Sequence, residues 1–232
     1  MLIASLDSTA VTASAAICEI NGGKLGTYSV FTVKNKLTHS EILLPLLENA
    51  LKQYGATIKD VDLFAVSAGP GSFTGVRIGA ATVKGLAFAE NKPCVGVSPL
   101  EAMAKTVGRG YVCPVMDARR DQFYTALFKD GVRITEDSAL SVEEIKNQLK
   151  DLPEVTICGD GRDKFLSLCA EEGNLFPASD AMTDQNAVSV ALCGFELFEK
   201  GLAVNPESLQ PIYLRMPQAE RERLEREKSS DS

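Results

Sequence analysis

Short apolar runs that end on an aspartate or a glycine turn alternate along this chain with segments of helical apolar period. "LIASLD" (2–7) predicts a buried strand ending at Asp7. "VTASAAICEI" (11–20) and "LGTYSVFTV" (25–33) predict a hairpin about the Asn-Gly-Gly turn between them. In "THSEILLPLLENALKQYG" the apolar residues at 42, 43, 46, 47, 50 and 51 form one helical stripe. Thr38 and Glu41 have the spacing of a capping box, and Gly55 is the stop. "DLFAVSAGPG" predicts a strand running into a glycine turn, followed by a helix from about Thr74 to Ala89 and a short strand in "PCVGVS".

The same order returns from residue 111. "YVCPVMD" ends on Asp117, and "ARRD" turns into the strand "QFYTALFK". A "DG" hairpin leads to a third strand, "VRITED". "SVEEIKNQLK" predicts a helix capped by Ser141 and Glu144. "EVTICGDG" repeats the strand and glycine turn, and "RDKFLSLCAEEG" the helix. Asp7 and Asp117 fall at equivalent places, as do "GPG" and "GDG". Two unrelated α/β units could share such parts, but a duplication explains the order better. It predicts an α/β, actin/Hsp70/sugar-kinase-like (ASKHA) fold with two lobes, each a mixed sheet with helices, facing a cleft. Residues 1–105 would form the first lobe and 106–215 the second, with the last helix free to pack back on the first. The charged stretch 216–232, "PQAERERLEREKSSDS" in its main part, predicts a frayed or disordered tail.

Bulk properties narrow the function classes. With 232 residues the chain can bury a sizeable core. A net charge of −7 argues against a general nucleic-acid binder. Six scattered cysteines, with no CxxC pair, predict reduced, buried thiols of a cytoplasmic protein. No signal-like or membrane-spanning segment is evident.

The stretch "GPGSFTGVRIG" is neither a Walker loop nor a dinucleotide fingerprint. It either approaches a ligand closely or serves close helix packing, and residue chemistry leaves both open. Glycine within a helix costs about 1 kcal/mol against alanine, so the small residues at 75, 79, 80, 81, 85 and 87 imply an offsetting contact, within this chain or with another. Asp7, Ser8, Thr9, Gly69, Gly71, Ser72, Asp117, Arg119, Gly159 and Gly161 are candidate nucleotide-cleft residues. Asp7 and Asp117 could equally cap strand ends. Arg119 and Arg120 could hold a phosphate or carboxylate, or be solvated turn residues. His39 is the sole histidine, which leaves no usual zinc ligand set and no metal site. No convincing catalytic base or nucleophile set is found.

"GPGSFTGVRIG", "DST" (7–9), "HSEILLP" (39–45), "DARRDQFY" (117–124) and "PIYLR" (211–215) together resemble the TsaB family, formerly YeaZ, over nearly the whole chain. "DST" departs from the commoner Asp-Thr-Ser/Ala order. The resemblance implies a non-catalytic partner of TsaD and of the ATPase TsaE in N6-threonylcarbamoylation of adenosine 37 of tRNAs that read codons beginning with A. It implies no firmly bound cofactor of this chain, with ATP or ADP and Mg at the interface of the complex, and a homodimer when alone. Contact with tRNA would run mainly through the partner. The association surface it implies comprises Ile42, Leu43, Leu46 and Leu47, with Val76, Arg77, Gly79, Ala80, Val83, Lys84 and Ala87. The alternative is a stand-alone ATP-dependent small-molecule kinase of the same superfamily; a protease reading lacks a metal or nucleophile set.

Overall fold

A computed structural model describes residues 1–35 and 38–215. The expectation for the charged tail lies outside the described residues. The first lobe opens with β1 (Leu2–Asp7), β2 (Thr12–Asn21) and β3 (Lys24–Lys34), then α1 (His39–Tyr54), β4 (Leu63–Ser67), α2 (Phe73–Glu90) and β5 (Cys94–Val97). α3 (Pro99–Val107) leads to the second lobe. There β6 (Tyr111–Asp117), β7 (Gln122–Thr125), β8 (Phe128–Lys129), β9 (Val132–Arg133) and β10 (Ser138–Ser141) precede α4 (Val142–Leu149). β11 (Val155–Cys158), α5 (Arg162–Leu168) and β12 (Leu175–Pro177) complete it, and α6 (Ala187–Glu199) follows.

The strand order is β3-β2-β1-β4-β5 in one sheet and β10-β7-β6-β11-β12 along the other. β1 pairs antiparallel with β2 and parallel with β4, and β6 likewise pairs antiparallel with β7 and parallel with β11. This is the duplicated ASKHA-type architecture. Asp7 and Asp117 even make the same turn: each Oδ1 accepts a hydrogen bond from the amide two residues on, Thr9 at 2.9 Å and Arg119 at 2.8 Å.

The first sheet is covered on both faces, which explains the unbroken apolar run Leu63–Val66. Ala4, Leu6, Phe64 and Val66 face α1 and α2; Ile3, Leu63, Ala65 and Val95 face α6. Between the lobes, Leu100, Met103 and Ala104 of α3, with Ala10, pack on Val112, Met116 and Phe128.

Local signals held unevenly. Gly55 ends α1 in the left-handed region, and Ser141 with Glu144 forms a complete capping box. Thr38 precedes α1, but its side chain makes no capping bond. The third strand of the second lobe differs from expectation: only Val132–Arg133 of "VRITED" are strand, paired with β8, and the strand that pairs with β7 begins at Ser138. Arg133 draws the intervening chain away, bonding Asp137 at 2.5 Å and Glu101 of α3 at 3.0 Å, while Ser98 donates to Asp137 at 2.6 Å. All six cysteines are free and buried, and no helix among the described residues is long and apolar enough to cross a membrane.

Candidate functional site

The two lobes enclose a cleft of about 690 Å³. Its first-lobe wall is Thr9–Val11 and the glycine turn with the start of α2, residues 70–74. Met116–Arg120, Tyr124 and Asp160 form the second-lobe wall, and the chain segment 212–215 runs across it.

Of the expected cleft residues, Thr9, Gly71, Ser72, Asp117 and Arg119 line it. Asp7 does not. It is fully buried, and its carboxylate is occupied by the Thr9 amide, the Thr9 hydroxyl at 2.8 Å and the Ser67 hydroxyl. Burial pushes its pKa up, against the opposing effect of these donors. Ser8 is also buried, donating to the Gly75 carbonyl at 2.9 Å. Gly69 lies beneath the backbone of Ile212, and Gly159 and Gly161 pack against the Val115 carbonyl. These residues build the turns without facing the cleft, so Asp7 is a fold-building residue in this conformation. Replacing it by alanine is expected to cost about 2–3 kcal/mol, because Ser67 and Thr9 would lose a buried acceptor. Chemical denaturation would read this loss directly.

The second-lobe wall carries the unspent charge. Arg119, Arg120 and Asp121 all have positive φ, at 62°, 54° and 54°. Left-handed backbone at three successive non-glycine residues costs roughly 1–2 kcal/mol per residue, and such strain concentrates where side chains must be aimed. Both arginines are exposed, and their guanidinium groups have no partner among the described residues. Asp117 is paired with Lys164 at 3.3 Å.

Asp160 was missed at the sequence level, although the middle residue of "GDG" mirrors that of "GPG". It keeps solvent contact at the cleft mouth, yet the protein packed around it desolvates the carboxyl. With the neighbouring Asp117 and Asp184 carboxylates, this pushes its pKa up to about 6 from 3.8. Between these values the folded state holds a proton that the unfolded chain has released, so stability falls as pH rises through the window. Asp160→Asn is expected to be more stable than the parent at pH 7 and to lose that part of the slope; thermal unfolding from pH 4 to 7 checks it. Solvent screening keeps the effect modest.

The expected association surface needs correction. Leu43, Leu46, Leu47, Val76, Gly79, Ala80, Val83 and Ala87 are buried within the lobe's own core, and Ile42 and Lys84 are half-buried. Only Arg77 of that set is exposed. α2 turns this face inward because Gly75 and Gly79 fit against Ser8 and Val66. The outward face of α2 presents Thr74, Arg77, Ala81, Gly85, Phe88 and Ala89, with Phe88 66% exposed and open space around Gly85. On α1, Leu44 and Pro45 are exposed.

Topology and cleft together define a two-lobed protein of the ASKHA type whose first aspartate is closed off. Residues 34–148 match the family described as TsaD, tRNA N6-adenosine threonylcarbamoyltransferase. The chain is 30% identical to the Bacillus subtilis tRNA threonylcarbamoyladenosine biosynthesis protein TsaB over 98% of this chain and 100% of that protein. It is 29% identical to the Escherichia coli protein of the same name, covering 76% of this chain and 80% of that one. YeaZ from Pseudomonas aeruginosa shares the fold with a TM-score of 0.74 at 24% identity, covering 92% of this chain and 99% of that chain. The chain belongs to the TsaB family.

Proposed function

We propose that this protein acts in the biosynthesis of threonylcarbamoyladenosine in tRNA, as a non-catalytic subunit that supports a TsaD-type transferase together with the ATPase TsaE. The observation that carries the biosynthetic role is the similarity to the Bacillus subtilis TsaB protein over its whole length. The subunit reading rests on the site. The Asp7 carboxylate, which an ATP-using relative would present to a metal, is engaged by three donors. A partner surface is supplied by the outward face of α2 around Ala81, Gly85 and Phe88, with Leu44 on α1. The acidic net charge leaves tRNA contact chiefly to the partner, and any ATP or ADP with Mg to the interface of the complex.

The test is reconstitution. The transferase, TsaE, the threonylcarbamoyl-adenylate synthase, threonine, bicarbonate, ATP and a substrate tRNA are combined with and without this protein. Mass spectrometry of the nucleosides reads product. Product that requires this protein supports the reading, and equal product without it overturns the supporting role.

The cleft favours a second reading, a stand-alone ATP-dependent enzyme, because the guanidinium groups of Arg119 and Arg120 at its mouth have no partner among the described residues. Calorimetry of the isolated protein with Mg-ATP separates the two. Binding that Arg119→Ala and Arg120→Ala abolish would favour the enzyme, and no heat would remove it.

A further inference from the structure

We propose that Pro211–Arg215 is an intramolecular clasp that sets the width of the interlobe cleft, and that its release opens the lobes. The chain crosses between lobes at 108–110 and again at 178–186, and the apolar α3 contact lies between the lobes. Gly108 and Gly110, with φ of 87° and 73°, flank the first crossing. Connections of this kind allow hinge motion unless a further contact bridges the opening.

Residues 211–215 supply that contact. Beyond Val204, which pairs with Cys94 at the edge of the first sheet, the chain follows α2. Lys84 donates to the carbonyls of Glu207 and Leu209, at 3.1 and 3.2 Å. The Ile212 amide donates to the Ala68 carbonyl at 2.7 Å, directly over the glycine turn. Only glycine fits at position 69, because a Cβ there would lie 2.3 Å from the Ile212 carbonyl oxygen.

Tyr213 packs its ring 4.8 Å from that of Phe73 and accepts a hydrogen bond from Arg77 at 2.9 Å. The Arg77 guanidinium also lies 3.8 Å over the Phe73 ring. All of these anchors belong to the first lobe. Two residues on, Arg215 donates to the carbonyls of Ala118 and Arg119, at 2.6 and 3.4 Å, in the strained turn of the second lobe. Residues 211–215 thus tie the glycine turn of one lobe to the arginine turn of the other, across the cleft that residues 212–215 line.

The clasp is built to come off. Ile212 and Tyr213 are 48% and 40% exposed, and the segment adds no strand to either sheet. Contacts that bury little and are fully solvated on one side open at low cost. Release would uncover Gly69 and the Phe73–Arg77 face, and would free the turn that carries Arg119 and Arg120.

Double electron–electron resonance on the full chain tests this. Spin labels are placed on Lys59→Cys and Lys150→Cys, exposed positions in the first and second lobes. The native thiols are buried and do not compete. The parent is expected to give one narrow distance distribution. Tyr213→Ala combined with Arg215→Ala is expected to add a second population at a different distance. The Ile212 amide should then exchange with solvent at least about tenfold faster. An unchanged distribution in a folded variant whose Ile212 amide exchanges freely overturns the proposal. If that amide stays protected, Ile212→Pro, which removes the N–H itself, decides by distance alone: an unchanged distribution in the folded variant overturns the proposal.

Discussion

Gly75→Ala is expected to prevent the first lobe from folding. A Cβ at position 75 would sit 1.8 Å from the Ser8 carbonyl oxygen and 3.0 Å from its carbon. Those are backbone atoms, and they are not free to move. Ser8 is pinned between the buried Asp7 turn and α2, to which its hydroxyl donates. On the other side stands the His39 ring, with Nδ1 3.3 Å from the same point. Relief requires α2 to shift away from β1 and β4, which would open the contact of Val66 and Val83 with the core. Loss of more than about 4 kcal/mol follows from strain and cavity acting together. Gly85→Ala is the internal control. It lies in the same helix with nothing within 4 Å, and is expected to stabilise by up to about 1 kcal/mol. Circular dichroism should therefore show the first lobe's cooperative melt lost in Gly75→Ala and the parent's melt kept or raised in Gly85→Ala.

That contrast also shows where sequence reading stops. A run of glycines and alanines along α2 signals close approach, but small residues occur on both flanks of the helix. Gly75 and Gly79 face the sheet, whereas Ala81 and Gly85 face outward. Apolar periodicity has too little contrast to tell such faces apart, so the helix was legible and its orientation was not. The aspartate-ended strands were legible because strand and turn chemistry act within a few residues. The Ser141 cap was legible for the same reason. What displaced the third strand of the second lobe is non-local: Arg133 reaches Glu101, 32 residues away. Residues 211–215 have neither helical nor strand period, and their contacts reach back to Ala68 and Ala118. Only a motif resemblance marked them. Asp7 is the converse case. Its place at the end of β1 left a cleft ligand and a turn cap both open, and the two hydroxyls that close it, from Thr9 and Ser67, come from its own turn and from β4.

Gly85→Arg is expected to abolish association with the transferase while leaving the isolated protein folded. This loss follows from the subunit reading and from which side of α2 is free. Phe88 is 66% exposed at the end of a strip made bare by Ala81 and Gly85. A bare helix strip lets another helix approach closely, and an exposed aromatic beside it is the kind of anchor that dominates interface energetics. Arginine at 85 would project from the centre of that strip and bury an unpaired charge on contact, which costs several kcal/mol. Loss of binding of at least about a hundredfold follows, since each 1.4 kcal/mol is a factor of ten. Phe88→Ala should weaken binding by about tenfold or more through the lost anchor alone. In the free protein neither change disturbs packing: Gly85 meets nothing within 4 Å, and Phe88 lies outside the core clusters. Titration calorimetry with the transferase, beside a melt of each variant, separates association from folding. Unaltered affinity in Gly85→Arg would remove this face from the interface. Lost affinity with an unchanged or raised melting temperature would assign it, and the same variants would then be expected to lose product in the reconstituted tRNA reaction.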